Sequence, residues 1–364
     1  MNRAFANEGR GSHLVVTGGA GFVGGNLACA FKTRYPALRV TCLDNLRRRG
    51  SEIQLARLRE QGVEFVHGDV RVAADLEALD PFDTMLECSA EPAVLAGYGP
   101  ERGYAIQTNL IGTIHCLEAC VRNEASLIFL STSRVYPLAT LNALGWEESD
   151  RRFDWSDEQS VPGASRQGVD LDFPLDGARS LYGTTKLASE LLIQEYVDAF
   201  GLRAVINRCG VIAGPWQMGK VDQGVVAWWM LRHCFGGELA YVGWGGTGKQ
   251  VRDFLHCDDL ADLCELELAG LDDLSGRTFN AGGGLDNSAS LLELTELCQK
   301  VTGRSLEIGA APETRPGDLR IFVTDNRRVT EALGWRPQRS LMQILEDLYG
   351  WIQAHPEAIE IALR

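Results

Sequence analysis

The chain has 364 residues, of which 45% are hydrophobic and 23% charged, with a formal net charge of −14. A chain this long buries a core without disulfide or metal staples, and its negative balance excludes a general nucleic-acid binder, whose footprint is basic. Ten cysteines are scattered without a Cys-x-x-Cys pair, so reduced packing thiols are expected and no metal site. Residues 1–12 are polar and glycine-containing, and no run of about 18 apolar residues occurs. The expectation is a cytoplasmic protein with neither a secretory signal nor a membrane span.

The first half alternates short apolar runs with helical patterns. His13–Thr17 reads as a buried strand, Phe22–Arg34 as a helix, 39–43 as a second strand and 51–60 as a helix. Strands over 63–66 and 83–87 follow, then a long helical stretch over 103–122 and a fifth strand over 126–130. This alternation predicts an α/β fold, a Rossmann-type doubly wound parallel sheet with ligands at the carboxyl ends of its strands. Residues 137–179 break the rhythm and are rich in Asp, Glu, Ser, Gly and Pro. An unpatterned stretch of that length reads as a functional insertion, such as a lid over the substrate, or as a surface excursion. The helix Leu181–Phe200 and a strand over 203–207 resume the sheet. Beyond Gly214 the pattern becomes irregular, which predicts a smaller C-terminal substrate-binding lobe capping the sheet's ligand edge. The expected division is a domain over 13–214, with 137–179 inserted, and a lobe over 215–364, some of whose segments return to the sheet.

Thr17-Gly18-Gly19-Ala20-Gly21-Phe22-Val23-Gly24 joins the first strand to the first helix. Gly18 permits the tight turn, Gly21 lets the backbone approach a diphosphate, and Gly24 lets the helix pack on the strand. The diphosphate would sit on N–H groups at the positive helix end. Asp44 ends the second strand, where a carboxylate accepts from adenosine ribose hydroxyls and repels a 2′-phosphate. That favours NAD as cofactor over NADP, although Arg47, Arg48 and Arg49 pull the other way. Gly68-Asp69-Val70 ends the third strand, where an adenine ring would lie.

Tyr182-Gly183-Thr184-Thr185-Lys186 has Tyr-x-x-x-Lys spacing in a helical context, so both side chains project from one face. Removing hydride from a secondary alcohol requires removing the hydroxyl proton as well. A free tyrosine, with a pKa of about 10, is a poor base at neutral pH. The Lys186 ammonium and a positive nicotinamide would both favour the phenolate. Tyr182 then takes the proton and returns it, Thr132 hydrogen-bonds the same oxygen, and Lys186 also holds the nicotinamide ribose.

The glycine turn, Asp44, Gly68-Asp69, Asn109, Ser131-Thr132 with Tyr136, and Tyr182-x-x-x-Lys186 together resemble the extended short-chain dehydrogenases. So do Arg252-Asp253-Phe254-Leu255-His256 and Arg315-Pro316-Gly317-Asp318. The chain is similar, from about His13 to Trp351, to the NAD-dependent epimerase/dehydratase family, which acts on nucleotide sugars. The resemblance implies catalysis by Thr132, Tyr182 and Lys186 with NAD retained through turnover. It implies cofactor contacts from Gly18, Gly21, Phe22, Val23, Gly24, Asp44, Asn45, Asp69, Val70, Ser89, Asn109, Tyr182, Lys186 and Cys209. Substrate contacts are implied for Thr132, Gln250, Arg252, Arg315 and Asp318. Family members are commonly homodimers, and the helices over 103–122 and 181–200 are the candidate interface.

Three features resemble the branch that epimerises CDP-hexoses at C2, the CDP-paratose/CDP-tyvelose type. They are the acidic insertion ending in Asp172-Phe173-Pro174-Leu175-Asp176, the segment Asp222-Gln223-Gly224, and Gly248-Lys249-Gln250-Val251-Arg252-Asp253. Dehydratases of the family carry Asp-Glu after the catalytic threonine; here Ser133 and Arg134 follow it, and arginine donates no proton at neutral pH. Val211 stands where many sister epimerases have asparagine, so contacts to the substrate diphosphate are expected to differ. The leading expectation is 2-epimerisation of a CDP-hexose through a transient keto-sugar. The same residues serve 4-epimerisation of a UDP-hexose, or a net sugar-nucleotide oxidoreductase. A non-catalytic dinucleotide-binding protein has no need of the intact Tyr182–Lys186 pair.

Overall fold

A computed structural model describes residues 12–99, 102–218, 224–356 and 359. Seven short strands carry the architecture: β1 (His13–Thr17), β2 (Arg39–Asp44), β3 (Glu64–His67), β4 (Thr84–Glu87), β5 (Ser126–Thr132), β6 (Ala204–Cys209) and β7 (Thr278–Ala281). They pair in parallel in the order β7-β6-β5-β4-β1-β2-β3. The chain runs outward from β1 to β3, then crosses to β4 and runs outward the other way. The strand order therefore reverses between β1 and β4, and ligands of such sheets bind at that switch point.

Strands buried on both faces need helices on both faces, and two apolar layers supply them. On one side Leu27 and Phe31 of α1 (Phe22–Arg34) pack with Leu260 and Leu263 of a helix over Cys257–Ala269. On the other, Cys116, Leu117 and Cys120 of α2 (Gly112–Asn123) pack with Ile193 of α3 (Leu181–Phe200). All ten cysteines are free thiols, and nine are buried.

Several boundaries differ from the sequence reading. The fifth strand runs two residues beyond 130, which carries Thr132 to the strand tip. The sixth likewise extends to Cys209. The expected helix over 103–122 is interrupted by a π-turn at Gln107–Ile111, which contains Asn109. β7 comes from the stretch over 215–364, from which returning segments were expected without bounds, while the short helix at Ala73–Glu77 was not expected, being too short to show periodicity. No helix among the described residues is long and apolar enough to cross a membrane.

The smaller lobe has a sheet of Val211–Ala213, Val251–His256, Ser288–Ser290 and Ile321–Phe322, and a parallel ribbon of Leu239–Val242 with Ile308–Ala311. Helices α4 (Val225–Phe235), α5 (Leu291–Thr302) and α6 (Leu341–Ala354) close its core around Met230, Leu294, Ile344 and Leu348. Of the Asp222-Gln223-Gly224 segment, the first two lie outside the described residues, while Gly224 starts α4 in a left-handed conformation.

The insertion at 137–179 packs against the smaller lobe. It folds into two small hairpins, Trp146–Glu148 with Phe153–Trp155 and Ala164–Ser165 with Gly168–Val169. Phe153, Trp155, Val169 and Phe173 are buried against Val251, Leu319, Ile321 and Phe322 of the smaller lobe. Apolar residues scattered without period over the sequence thus converge on a neighbouring core, and the segment buttresses that lobe from behind.

One buried ion pair fastens α3 to the sheet. Arg208 of β6 donates to Glu190 Oε2 at 2.8 and 3.0 Å, and Ser131 Oγ donates to Glu190 Oε1. The side chains are 8% and 1% exposed. Removing one partner of such a pair strands the other charge in the interior. Glu190→Gln is therefore expected to destabilise the fold by about 3–5 kcal/mol, measured by urea unfolding at neutral pH. A change below about 1 kcal/mol, the level of an exposed pair, would contradict the assignment.

Candidate active site

The glycine turn has the shape its residue types require. Gly18 sits at φ 64°, and a Cβ there would meet the Cys88 carbonyl and the Ser89 nitrogen at 2.9 Å. A Cβ on Gly24 would lie 2.3 Å from the Gly18 oxygen, so helix and turn pack without room for a side chain. At Gly21 only the Gly18 oxygen lies close, at 3.0 Å; the rest of that face is open. No side chain caps α1 at Gly21, so the first-turn N–H groups of Phe22, Val23 and Gly24 are directed at whatever lies over the turn. An open backbone face beside an uncapped helix N-terminus fits the diphosphate of NAD.

The next strand tips line the same edge. Asp44 accepts from Ala20 N at 3.2 Å and Leu46 N at 2.8 Å, and burial raises its carboxyl above the ordinary value. Asn45 donates to Asp69 at 2.9 Å. Burial pushes Asp69 up, but the hydrogen bonds from Arg71 and Asn45 outweigh it and hold the carboxyl at about 2. Val70 is buried, with its carbonyl bonded to His115 Nδ1 at 2.8 Å. The guanidinium groups of Arg47 and Arg71 lie 3.9 and 4.6 Å from the Tyr104 ring centre.

Asn109 is tied into the protein through its side-chain amide. Its amide nitrogen donates to Glu91 O at 3.1 Å and Thr185 Oγ1 at 3.2 Å, and its oxygen accepts from Glu91 N at 2.7 Å. Both amide hydrogens are committed to the protein, because the π-turn directs the side chain between the 91 loop and α3. It locks the helix that carries Tyr182 and Lys186.

A cleft of about 890 Å³ opens from the sheet edge into the smaller lobe. Its floor is Thr132, Ser133, Arg134 and Tyr182, and its walls include Val211, Gln217, Trp228, Gln250, Arg252, Arg315 and Asp318. No residue of 137–179 lines it. Ser180 caps α3 by accepting from Gly183 N at 3.1 Å, which starts the helix two residues before Tyr182. The Thr132 side chain lies beside the Tyr182 phenol on this floor and lowers its proton affinity. Burial pushes it up to about 12, against the lowering influence of Thr132 and Arg134.

Lys186 is not among the leading influences on the phenol. The Lys186 ammonium lies 3.7 Å from the centre of the Phe129 ring, and burial lowers its own proton affinity. The cation that acts on the phenol is Arg134, whose charge the sequence reading used only to exclude an acid. Burial and nearby Arg252 bring Arg134 down to about 10, and its Nη1 donates to Gly317 O at 3.0 Å.

Arg252 lines the cleft but is anchored at 2.9 Å to Asp318, at 2.7 Å to Leu319 O and at 2.7 Å to Val251 O. Arg315 lines it with no carboxylate partner among the described residues. Gln250 donates to Val242 O at 3.0 Å, leaving a buried Oε1 without a partner; Gln217 does the same toward Ile212 O at 3.1 Å. Sequence reasoning missed Gln217 because nothing in its local pattern marks it. Cys209, its thiol held neutral by burial at about 12, sits at the β6 tip close to Tyr182. The His256–Cys257–Asp258 group has metal-ligand side-chain types, but His256 Nδ1 accepts from Asp258 N at 3.0 Å and caps a helix.

Residues 14–282 match the model of the NAD dependent epimerase/dehydratase family. The chain is 31% identical to CDP-paratose 2-epimerase of Salmonella typhi, over 93% of this chain and 98% of that one. It is 26% identical to a UDP-glucose 4-epimerase of Halalkalibacterium halodurans, over 94% and 96% of the two chains. UDP-glucuronic acid 4-epimerase from Bacillus cereus, solved with UDP-glucuronic acid and NAD, is similar with a TM-score of 0.77. That match covers 94% and 99% of the chains at 24% identity, a likeness of fold. With the family model spanning most of its length, the chain belongs to the NAD-dependent epimerase/dehydratase family, enzymes that act on sugar nucleotides.

Proposed function

We propose that this enzyme epimerises a nucleotide-bound hexose, and that the substrate is a CDP-hexose inverted at C2. The observation that carries the reading is Tyr182 beside Thr132 and Arg134 on the floor of a cleft whose walls hold Arg252 and Arg315. Arginines in a chain of net charge −14 supply the local field that an anionic diphosphate needs. Thr132 orients the sugar hydroxyl, and Tyr182 takes its proton as that carbon becomes a ketone. Tyr182 gives the proton back when the alcohol re-forms with the opposite configuration. The hydride chemistry itself is what bound NAD supplies. Residues 13–214, with their insertion, would hold NAD, and the lobe over 215–364 would aim the sugar through Gln250, Arg252, Arg315 and Asp318.

Dehydration needs an acid beside the threonine, and Ser133 and Arg134 occupy that stretch of the floor. The choice of CDP and C2 is supported by the 31% identity along nearly the full length of both chains. Assembly as a homodimer through α2 and α3 is part of the proposal, supported by Leu191 and Phe200 of α3, each 61% exposed.

Tyr182→Phe should retain NAD, read by absorbance of the denatured protein's supernatant, while kcat falls about 10²–10⁴-fold. Near-normal turnover would remove Tyr182 from its role. Incubation with CDP- and UDP-hexoses, followed by NMR, should show inversion at C2 of a CDP-sugar without net NADH change. Inversion at C4 of a UDP-sugar would overturn the substrate assignment, and steady NADH consumption would overturn epimerisation. Leu191→Glu should shift the sedimentation coefficient from dimer to monomer; a parent that already sediments as a monomer refutes the interface.

A further inference from the structure

Strand β4 ends in a carboxylate with no part in the chemistry above. Glu87 is 1% exposed and lies mid-sheet, between β1 and β5. Its Oε1 accepts from Thr113 Oγ1 at 2.5 Å, while its Oε2 is buried without a hydrogen-bond partner among the described residues. A buried carboxylate in that condition is costly unless a cation answers it.

The strand register brings one close. Glu87 is directly opposite Phe129 in the parallel β4–β5 pair, so the two side chains leave the sheet on the same face as neighbours. The ring of Phe129 carries Lys186 Nζ 3.7 Å from its centre, and Lys186 is itself 1% exposed. Two opposite charges are thus enclosed in one apolar layer, with Phe129 between the strand and the helix.

Other groups that face Lys186 are already answered or neutral. Glu190, one turn further along α3, is occupied by Arg208 and Ser131. Cys88, just after β4, and Cys209 of β6 are kept as thiols by burial. Tyr182, one turn earlier, is a phenol.

We propose that Glu87 is a positioning residue for Lys186, holding the lysine as a cation over the Phe129 ring. Burial works against the lysine's charge, and among the opposing influences Glu87 is the largest. Burial also raises Glu87, and Lys186 is the first influence that lowers it again. The attraction acts through space and not as a contact ion pair. The inference rests on Lys186 serving the hydride chemistry, but not on which sugar or carbon is involved.

The test is a titration of Lys186 in the protein labelled with ¹³C at lysine Cε. The chain has five lysines, and the Lys186 signal is assigned by its loss in Lys186→Arg. In Glu87→Gln, which keeps the side chain's shape, Lys186 is expected to lose its proton at lower pH than in the parent. Removing a carboxylate disfavours the protonated amine, so the sign is downward. The alkaline limb of kcat/KM should move down with it, and Glu87→Asp should restore both. A Glu87→Gln protein that loses melting temperature but leaves the titration and the pH profile in place has a merely structural Glu87, and the proposal is overturned. If Glu87→Gln does not fold, the parent decides: Lys186 already neutral at pH 7 means no carboxylate holds its charge. Failure of the sugar panel with a displaced titration would count against the substrate assignment alone.

Discussion

The interaction on which the site depends is the Glu190–Arg208 pair. Two charges out of water repay their desolvation only when every remaining lone pair and proton is satisfied, and here the satisfaction extends outward. Arg208 donates to Tyr136 Oη at 3.3 Å, Tyr136 donates to Asn280 Oδ1 at 2.7 Å, and Asn280 donates to Val169 O at 2.9 Å. The chain of bonds runs from α3 through β6 and β5 to β7 and the insertion. Lys186 and Tyr182 lie one and two turns upstream of Glu190 on that helix. Their position relative to Thr132 is therefore fixed by a polar network, and the apolar layer only fills the space around it. Such networks are more directional than hydrophobic contact, which suits a phenol that must meet a hydroxyl at hydrogen-bond distance.

The electrostatics follow from the same burial. An enclosed phenol rises to about 12, the wrong direction for a base, so the protein must collect cations around it. Arg134 does so from the floor of the cleft, weakened by its own burial. A phenol held up in the protein alone, and drawn down only as charges gather, keeps its proton until the site is filled. The negative surface and the arginine-lined interior are two parts of one design: bulk repulsion is overcome only where guanidinium groups converge.

Much of the sheet was legible because parallel strands buried on both faces are continuous apolar runs, as HLVVT at 13–17 shows. The glycine turn was legible because each glycine answers a separate steric demand. Asn109 and Arg252 show the limit. Their residue types suit ligands, yet their donors are turned to Thr185, Glu91, Asp318 and Leu319, which lie 66 or more residues away or in a loop of no local pattern. Glu87 was invisible for a related reason: its meaning comes from its cross-strand neighbour Phe129, 42 positions later in the β4–β5 register. The insertion was unreadable because its apolar residues have no period of their own; their partners are Val251, Leu319 and Ile321.

That packing bears on how one triad can serve different carbons of a sugar. In the proposed reaction Thr132, Tyr182 and Lys186 specify that an alcohol is oxidised, and the cleft wall would decide which one faces them. Asn142 of the insertion donates to Asp318 O at 3.1 Å and accepts from Arg320 N at 3.0 Å, while Phe153 N donates to Lys249 O at 2.9 Å. The segments it grips, 249–252 and 318–320, are those that hold Gln250, Arg252 and Asp318. A buttress behind the wall acts on the wall without lining the cleft. In the proposed reaction, regiochemistry would then depend on packing remote from the reacting atoms, where a displacement of about 1 Å is large on the scale of a near-attack geometry.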